Sequence, residues 1–307
     1  MPDCAPVLLL AFNRPESSKR VIEAIRPFKP AQVFFAVDGP RKNIETDKPR
    51  CEQTRQLVHS IDWPCEVHTL FRTENLGCRH APPEAISWFF EHVDAGIILE
   101  DDCLPSNDFL VFASELLIKY AENHAVAMIC GNNHYGYQTN RAKSYHFSIH
   151  ANVWGWATWR RAWLNYDVDL KPYQTELKTA KSMVGYTARY RDFWWRYVDA
   201  MLHGMDTWAT QWTLILLMTK KLVIRPKYNL VSNIGFHADS THTACSWDAK
   251  LYERTEPLSF PLVHPDIIAP DKQADIRYEK RFTSYWFRGL TFLLSEWFKI
   301  KNRFNSF

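Results

Sequence analysis

Short apolar runs alternate with amphipathic stretches in the chain up to residue 102. The apolar runs predict four β-strands, all buried except the more polar third one, over residues 7–12, 33–37, 66–71 and 96–99. Between the first two runs, Val21, Ile22 and Ile25 recur at helical spacing, and a later helix is predicted over 84–92. Strands that alternate with helices are typical of a mostly parallel sheet in an α/β protein.

Three consecutive acids end the last of these strands. Glu100, Asp101 and Asp102 directly follow the apolar run 96–99. Ligands of open α/β sheets bind at the carboxyl ends of strands, and three carboxylates placed there repel one another unless a cation lies close. A divalent cation such as Mg²⁺ or Mn²⁺, held by one or two carboxylates and by diphosphate oxygens, would relieve the repulsion. A solvated acidic turn is the alternative interpretation.

The loops after the first three strands carry further polar candidates. Asp38 can accept a hydrogen bond from the imide N–H of uracil, or it can start a turn before the following glycine. Arg14 can pair with phosphate, although an exposed arginine before a proline needs no function. Gly77 lets the backbone approach a ligand and Arg72 and Arg79 supply positive charge, but an ordinary loop uses the same residues.

The second half of the chain is rich in tryptophan. Of 13 tryptophans, eight lie close together in sequence, at Trp154, Trp156, Trp159, Trp163, Trp194, Trp195, Trp208 and Trp212. Indole rings suit the faces of sugar rings and also fill protein cores. Gly155 predicts a break in regular structure that places the Trp156 ring on a loop, where it could contact a sugar. Trp159 and Trp163, four residues apart on a predicted helix, are expected to pack in the core.

Composition narrows the class of protein. The chain of 307 residues is 46% hydrophobic and 23% charged, which excludes long disorder, collagen and coiled coil and suits one large or two moderate domains. Its seven cysteines are odd in number and form no CxxC pair, and no secretory signal pattern opens the chain. These features favour reduced thiols and a cytoplasmic location. No apolar run approaches the ~18 residues of a membrane-spanning helix.

Charge is divided unevenly along the chain. The net charge of +3 is too small for a nucleic-acid-binding protein, so no nucleic-acid partner is expected. Residues 280–307, however, carry six basic side chains and one acidic, a net +5, whereas the preceding 279 residues carry a net −2. Aromatic residues are mixed with these basic ones. The pattern predicts a helix that either makes peripheral contact with the inner face of a membrane or folds back on the body.

Six segments, in order, resemble the glycosyltransferases of the GT-A fold, which use nucleotide-diphospho-sugars, and in particular bacterial relatives of N-acetylglucosaminyltransferase I. The segments are Leu9–Pro15, Phe35–Gly39, Glu74–Gly77, Ile97–Asp102, Trp154–Trp163 and Asn229–Thr243. The resemblance implies an α/β, Rossmann-like mixed sheet flanked by helices. The expected organisation is a catalytic domain over 1–265, with a nucleotide-sugar half (1–105) and an aromatic-rich acceptor half (106–265), and a basic C-terminal helical tail over 266–307.

The resemblance also implies roles for individual residues. Asp206, before the tryptophan that opens a late helix, would be the general base of an inverting displacement, or only the N-cap of that helix. Asp102 would bind Mn²⁺ or Mg²⁺ directly, and His242 would add a ligand, although a lone histidine is more often structural. The implied donor-binding residues are Asn13, Arg14, Asp38, Arg72, Asn75, Gly77, Arg79, Glu100 and Asp101, and the implied acceptor- or sugar-binding residues are Gly155, Trp156 and Trp208.

Three functions are compatible with the sequence. The first is a metal-dependent, inverting transferase of bacterial polysaccharide biosynthesis that moves a sugar from a UDP-sugar to a hydroxyl of a glycan or lipid-linked saccharide. The second is a sugar-1-phosphate nucleotidyltransferase, which needs a glycine-rich phosphate loop after the first strand, where residues 11–15 contain no glycine. The third is a non-enzymatic, tryptophan-rich glycan-binding protein, which would have no use for the three acids.

Overall fold

A mixed β-sheet forms the centre of the computed structural model, which describes residues 4–235 and 254–284. Its strands are Val7–Ala11 (β1), Gln32–Val37 (β2), Glu66–Phe71 (β3), Ala95–Glu100 (β4), Val126–Cys130 (β6), Tyr145–Ser148 (β7), Trp156–Trp159 (β8) and Leu222–Pro226 (β9). They lie in the order β3-β2-β1-β4-β8-β6-β9-β7, while Cys103–Pro105 (β5) and Val231–Asn233 (β10) form a separate antiparallel pair.

Helices cover both faces of the sheet. They are Pro15–Ile25 (α1), Asp47–Gln56 (α2), Gly77–His92 (α3), Asn107–Lys119 (α4), Arg160–Trp163 (α5), Gln174–Leu177 (α6), Ala188–Leu202 (α7) and Ala209–Met218 (α8), and residues 272–284 are also helical. Short 3-10 helices lie at Arg26–Phe28, Leu57–Ser60, Lys171–Tyr173 and Ala180–Ser182. Successive β1 residues point to opposite faces, so Leu9 packs in the core under α1 and α4 and Leu8 in the core under α3 and α8.

The strand directions determine where the loops of the sheet meet. β1 is parallel to β2 and β4, and β2 is parallel to β3. β8 is antiparallel to both β4 and β6, so β6 has the direction of β4, and β9 is parallel to β6. The carboxyl ends of β1, β2, β3, β4, β6 and β9 therefore share one edge of the sheet, where α/β proteins bind ligands.

The predicted α/β fold with a mixed sheet flanked by helices is confirmed, and the four predicted strands agree with β1–β4 to within one residue at each end. Helix α3, by contrast, begins at Gly77, seven residues before the predicted start, and contains Pro82 and Pro83. Proline removes a backbone donor and discourages a helical interior. The first N–H groups of α3 are held by carboxylates from other segments, as described below, and this capping favours the early start.

The described part of the predicted tail packs against the body. In the helix formed by residues 272–284, Glu279 is fully buried, lies 3.0 Å from Nε2 of His150, and accepts hydrogen bonds from the backbone N–H groups of Tyr186 and Thr187. Asp275 accepts hydrogen bonds from the Ser148 hydroxyl and from the Ile149 N–H. Polar contacts thus join this helix to the end of β7 and to the segment before α7.

Replacing Glu279 with glutamine is expected to destabilise the fold by about 1–3 kcal/mol at neutral pH, since one oxygen and the charge facing His150 are lost. Burial raises the pKa of Glu279, but the hydrogen bond and charge of His150 and the hydrogen bonds from Tyr186 and Thr187 outweigh it and leave the pKa below its ordinary value of 4.5. The stabilisation by the carboxylate is therefore complete above pH 4.5 and is lost as the pH falls through the lowered pKa.

Urea unfolding at several pH values would measure this effect. The difference between wild type and Glu279→Gln should be largest near neutrality and should narrow below pH 4.5. Glu23→Gln, which changes an exposed glutamate on α1, is the control and should have little effect. Equal stability of wild type and Glu279→Gln at pH 7 would contradict the anchoring role.

Across residues 4–235 and 254–284, no helix combines the length and the apolar character needed to cross a bilayer.

Candidate active site

Polar side chains from four parallel strands meet at the carboxyl edge of the sheet. Asn13 and Arg14 follow β1, Asp38 follows β2, Arg72 follows β3, and Glu100 ends β4, with Asp101 and Asp102 next in the chain. Their common edge results from the parallel pairing of β1 to β4, not from nearness in sequence. The four loops therefore form the floor of a candidate site.

Arg14 lies directly against the acids that follow β4. Its Nη1 is 3.1 Å from Oδ1 of Asp101 and 3.3 Å from Oδ2 of Asp102, and the Phe12 N–H lies 3.4 Å from Oδ2 of Asp101. The sequence predicted that a positive charge must lie near the three acids, and in this structure one such charge is Arg14. The guanidinium predicted to face a donor phosphate thus also neutralises part of the acidic cluster.

Arg14 offsets only part of the unfavourable environment of the acids. Burial is the largest cause that raises the pKa of both Glu100 and Asp101 above ordinary values, and the neighbouring carboxylates add to it while Arg14 opposes it. Such shifts arise where several carboxylates share a partly dry site with too few cations. The electrostatics of this cluster favour the approach of a further cation.

The surroundings of Asp102 indicate what kind of cation it could hold. Its carboxylate is partly exposed, and a Cβ at position 235 would lie 2.3 Å from its Oδ2, so the β10 end approaches Asp102 as closely as only glycine permits. Across the described ranges, no group of three His, Cys, Asp or Glu side chains could hold a metal ion. The residues fit a cation that takes one protein carboxylate and completes its shell with substrate oxygens, as Mg²⁺ commonly does. His242 lies outside the described residues.

Asp38 holds the loop that precedes α3. Its Oδ1 accepts hydrogen bonds from the N–H groups of Gly39 (2.8 Å) and Leu76 (3.1 Å), and its Oδ2 accepts them from Asn75 Nδ2 (2.8 Å) and Gly77 N–H (3.2 Å). Burial raises the pKa of Asp38 more than these N–H donors lower it. The oxygens that the sequence assigned to a pyrimidine are thus engaged within the protein, together with the predicted donor residues Asn75 and Gly77.

Asp206 contacts the same helix, α3, from the loop before α8. Its Oδ2 accepts a hydrogen bond from the Cys78 N–H (3.1 Å) and its Oδ1 accepts one from the Arg79 N–H (2.6 Å). The alternative to a catalytic base was an N-cap of the helix after Trp208, but α8 has no side-chain cap. Asp206 instead caps α3, more than a hundred residues away in the chain. A carboxylate at a helix N-terminus also benefits from the helix dipole.

The Cys78 thiol is influenced by acids from two different parts of the chain. Burial is the main cause that raises the pKa of its thiol to about 12, and the charges of both Glu100 and Asp206 add to the rise. Both carboxylates are therefore within electrostatic reach of one sulfur atom. The charges of the candidate base and of the acidic end of β4 thus act on the same thiol, although nothing in the sequence marks Cys78 as a site residue.

Other predicted donor residues make contacts inside the protein. Arg72 pairs with Glu84 at 3.1 Å, and Arg79 pairs with Asp169 at 3.1 Å. Asn13 donates a hydrogen bond to Oδ1 of the buried Asp47. Asp47 is a structural member of the site that the sequence did not reveal, because it lies in a polar stretch with no apolar periodicity.

The sugar-binding prediction for the tryptophans needs correction. Trp156 is fully buried and begins strand β8, so it is not on a loop, and its ring lies 5.9 Å from that of Trp208, which is also buried. Neither ring presents a face to a sugar in this structure. Gly155 has φ +66°, and a Cβ there would lie 2.8 Å from the Val231 side chain, so glycine is required for a turn into a strand. Trp154, one residue earlier, is only half-buried.

The neighbouring tryptophans confirm one prediction and correct another. Trp159 and Trp163 are buried, as expected for core residues. They do not share a helix, however, because Trp159 ends β8 and Trp163 ends α5. The strand continues to Trp159 because its residues pair with β4, and this pairing overrides the helical spacing.

No protein-family model and no curated protein sequence matches the chain. Among solved structures, HddC from Yersinia pseudotuberculosis is similar over 51% of this chain and 77% of its own, with 10% identity and a TM-score of 0.33, and its complex with GMP-PN has a TM-score of 0.31. A putative glucose-1-phosphate thymidylyltransferase from Bacillus anthracis is 9% identical over 55% of this chain and 76% of its own, with a TM-score of 0.33.

Proposed function

We propose that the protein is a metal-dependent glycosyltransferase that moves a sugar from a nucleoside-diphosphate donor, most simply a UDP-sugar, to a hydroxyl of a glycan or lipid-linked saccharide. The observation that carries the proposal is that Asp206 binds the start of α3, where its charge and that of Glu100 at the end of β4 both act on the Cys78 thiol. Transfer needs a carboxylate near the acceptor hydroxyl and a second charged centre near the leaving diphosphate. Asp206 would be the carboxylate near the acceptor hydroxyl, and the acids at the end of β4 would hold the charged centre near the diphosphate.

Different residues would act on the donor and on the acceptor. Asp102 would hold Mg²⁺ or Mn²⁺, which supplies positive charge for the leaving diphosphate when it is bound. Arg14 orients Asp101 and Asp102 and keeps a positive charge at the floor of the site. Asp206 would accept the proton of the acceptor hydroxyl, and in this arrangement the Cys78 and Arg79 N–H groups fix the direction of its carboxylate.

Two observations favour this proposal over the other functions. A sugar-1-phosphate nucleotidyltransferase would need a glycine-rich loop after β1, but the chain passes from Ala11 to the start of α1 at Pro15 through Phe12, Asn13 and Arg14. A tryptophan-based glycan-binding protein would need exposed rings. Five of the eight clustered tryptophans are buried instead, at Trp156, Trp159, Trp163, Trp208 and Trp212.

A thermal-shift panel tests the donor class. UDP is expected to raise the Tm of the wild type in the presence of Mn²⁺, and the shift should shrink when chelator is added, because ligands that bind only the native state stabilise it. GDP, CDP and dTDP are the comparison nucleotides. Asp94→Asn is a matched control, because Asp94 directly precedes β4 at the opposite edge of the sheet from Asp102.

The outcomes of this panel are distinct. A larger shift with UDP than with the other nucleotides, retained in Asp94→Asn and reduced in Asp102→Asn, would support the proposal. A shift by GDP or dTDP alone would keep the enzyme class and change the donor. If no nucleotide shifts the Tm, or if chelator and Asp102→Asn leave the shift unchanged, metal-dependent binding of a nucleotide-sugar is refuted.

A further inference from the structure

The helix over residues 272–284 separates its charges by face. Its two acids, Asp275 and Glu279, are buried and bind the body, whereas Lys272, Arg277 and Lys280 are exposed. With ~100° between successive residues, Arg277 and Lys280 lie within about 60° of each other on the side of the helix away from the buried acids, and Lys272 is exposed because it is the first residue of the helix. The surface of this helix is therefore cationic, although its sequence contains both signs of charge.

Exposed aliphatic side chains precede this helix in the chain. Val263 is 48% exposed, Ile267 74% and Ile268 41%. The segment that carries them is held against the body, because the Ser144 N–H donates a hydrogen bond to the Val263 carbonyl and the Asp271 N–H donates one to the Phe147 carbonyl. The exposed acid among them, Asp266, is paired with Lys143 at 2.9 Å. The segment thus presents apolar side chains without an unpaired negative charge.

The position of the helix relates this surface to the candidate active site. The Tyr278 ring lies 5.8 Å from the Tyr135 ring, and the Arg281 guanidinium lies 5.9 Å from the centroid of the same ring. Tyr135 belongs to the loop that follows β6, and β6 ends at the same edge of the sheet as β4. The helix therefore flanks the edge at which an acceptor would enter.

We propose that the surface formed by Val263, Ile267, Ile268, Lys272, Arg277 and Lys280, here called the 263–280 surface, docks on an anionic lipid bilayer. The cations match anionic headgroups, and the aliphatic side chains suit the boundary between headgroups and acyl chains. The core of a protein–protein interface is instead enriched in aromatic side chains and depleted of lysine and acidic residues. Docking here brings the acceptor edge of the sheet to the membrane, which suits a lipid-linked acceptor and thereby deepens the proposed function.

Vesicle co-sedimentation of the full chain, without nucleotide or metal, tests whether the 263–280 surface binds lipid. Wild type is expected to sediment with vesicles containing phosphatidylglycerol and not with pure phosphatidylcholine, and to be released at high salt. Arg277→Gln/Lys280→Gln should lower the vesicle partition coefficient about 25-fold, because each basic residue near an anionic surface contributes about fivefold. Ile267→Ser/Ile268→Ser should also lower it, at unchanged charge.

Two double variants that remove the same charge serve as controls. Lys19→Gln/Arg20→Gln changes exposed residues of α1 and should bind vesicles like the wild type. Lys299→Gln/Lys301→Gln changes only residues outside the described ranges. Circular dichroism confirms that each variant is folded, since all the substituted residues inside the described ranges are exposed.

Three results would overturn the proposal. In the first, the wild type does not bind anionic vesicles. In the second, the Arg277→Gln/Lys280→Gln variant binds them like the wild type. In the third, only the Lys299→Gln/Lys301→Gln variant loses binding. Release of the protein from vesicles by a lipid-free anionic polysaccharide, together with no effect of Ile267→Ser/Ile268→Ser, would also overturn it. Because the assay contains no donor, its failure is independent of the nucleotide panel.

Discussion

Replacing Asp102 with asparagine is expected to lower the rate of sugar transfer by at least ~100-fold, because the charge that would hold the cation against the leaving diphosphate is lost. Asparagine keeps one oxygen and nearly the same volume, so the fold should be retained. The measurement is release of nucleoside diphosphate at saturating donor and Mn²⁺, with acceptor and with water alone. The Tm of the variant without ligand shows whether the fold is intact.

Comparison variants at the same strand make the Asp102 result specific. Asp101→Asn should have a smaller effect, because Asp101 contacts Arg14 and the Phe12 N–H on the side away from solvent and would not hold the cation. Asp94→Asn, at the other end of β4, should keep the wild-type rate. If Asp102→Asn keeps the wild-type rate and chelator does not lower the rate of the wild type, Asp102 does not hold a catalytic metal ion.

Replacing Asp206 with asparagine is expected to lower kcat by roughly 10²–10⁴-fold, the usual contribution of a general base, while donor binding changes little. The same substitution tests the capping role, because the asparagine amide can accept only one of the two hydrogen bonds from Cys78 and Arg79. Loss of a helix cap costs about 1 kcal/mol and would appear as a lower Tm. The two roles are thus measured by different quantities.

Asp38→Asn is the matched variant for Asp206→Asn. It weakens the hold on Gly77 at the same helix end but removes no proposed base. A purely structural role of Asp206 predicts that both variants lose stability and that kcat falls by similar factors. A catalytic role predicts that kcat falls far more in Asp206→Asn than in Asp38→Asn. Equal kcat values in wild type and Asp206→Asn would exclude Asp206 as the base.

The sequence was sufficient to predict β1–β4 and the place of the three acids, because buried parallel strands are continuous apolar runs whose ends are visible as polar residues. It could not predict the partners of those acids. That Arg14 contacts Asp101 follows from the pairing of β1 with β4, which brings together residues 87 apart in the chain. The cap of α3 by Asp206 depends on the same kind of long-range contact.

Two mistaken predictions have a shared physical cause. Trp156 was predicted to lie on a loop and Trp159 on a helix, because glycine and four-residue spacing are local signals. Pairing of residues 156–159 with β4 and β6 made a central strand instead. Burial of a large aromatic ring in such a strand contributes more free energy than local preference opposes, at about 25 cal/mol for each Å² of apolar surface removed from water.

The capping of α3 from two sides has a geometric consequence. Asp38 comes from the loop after β2 and Asp206 from the loop before α8, and their carboxylates bind three successive N–H groups, at Gly77, Cys78 and Arg79. Under the proposed function, the general base and the loop after β2 would both be positioned by this one helix end. An insertion or deletion in residues 72–76 would displace the start of α3 and disturb the hydrogen bonds of both Asp38 and Asp206. The length of this short loop should therefore tolerate less variation than its exposed position suggests.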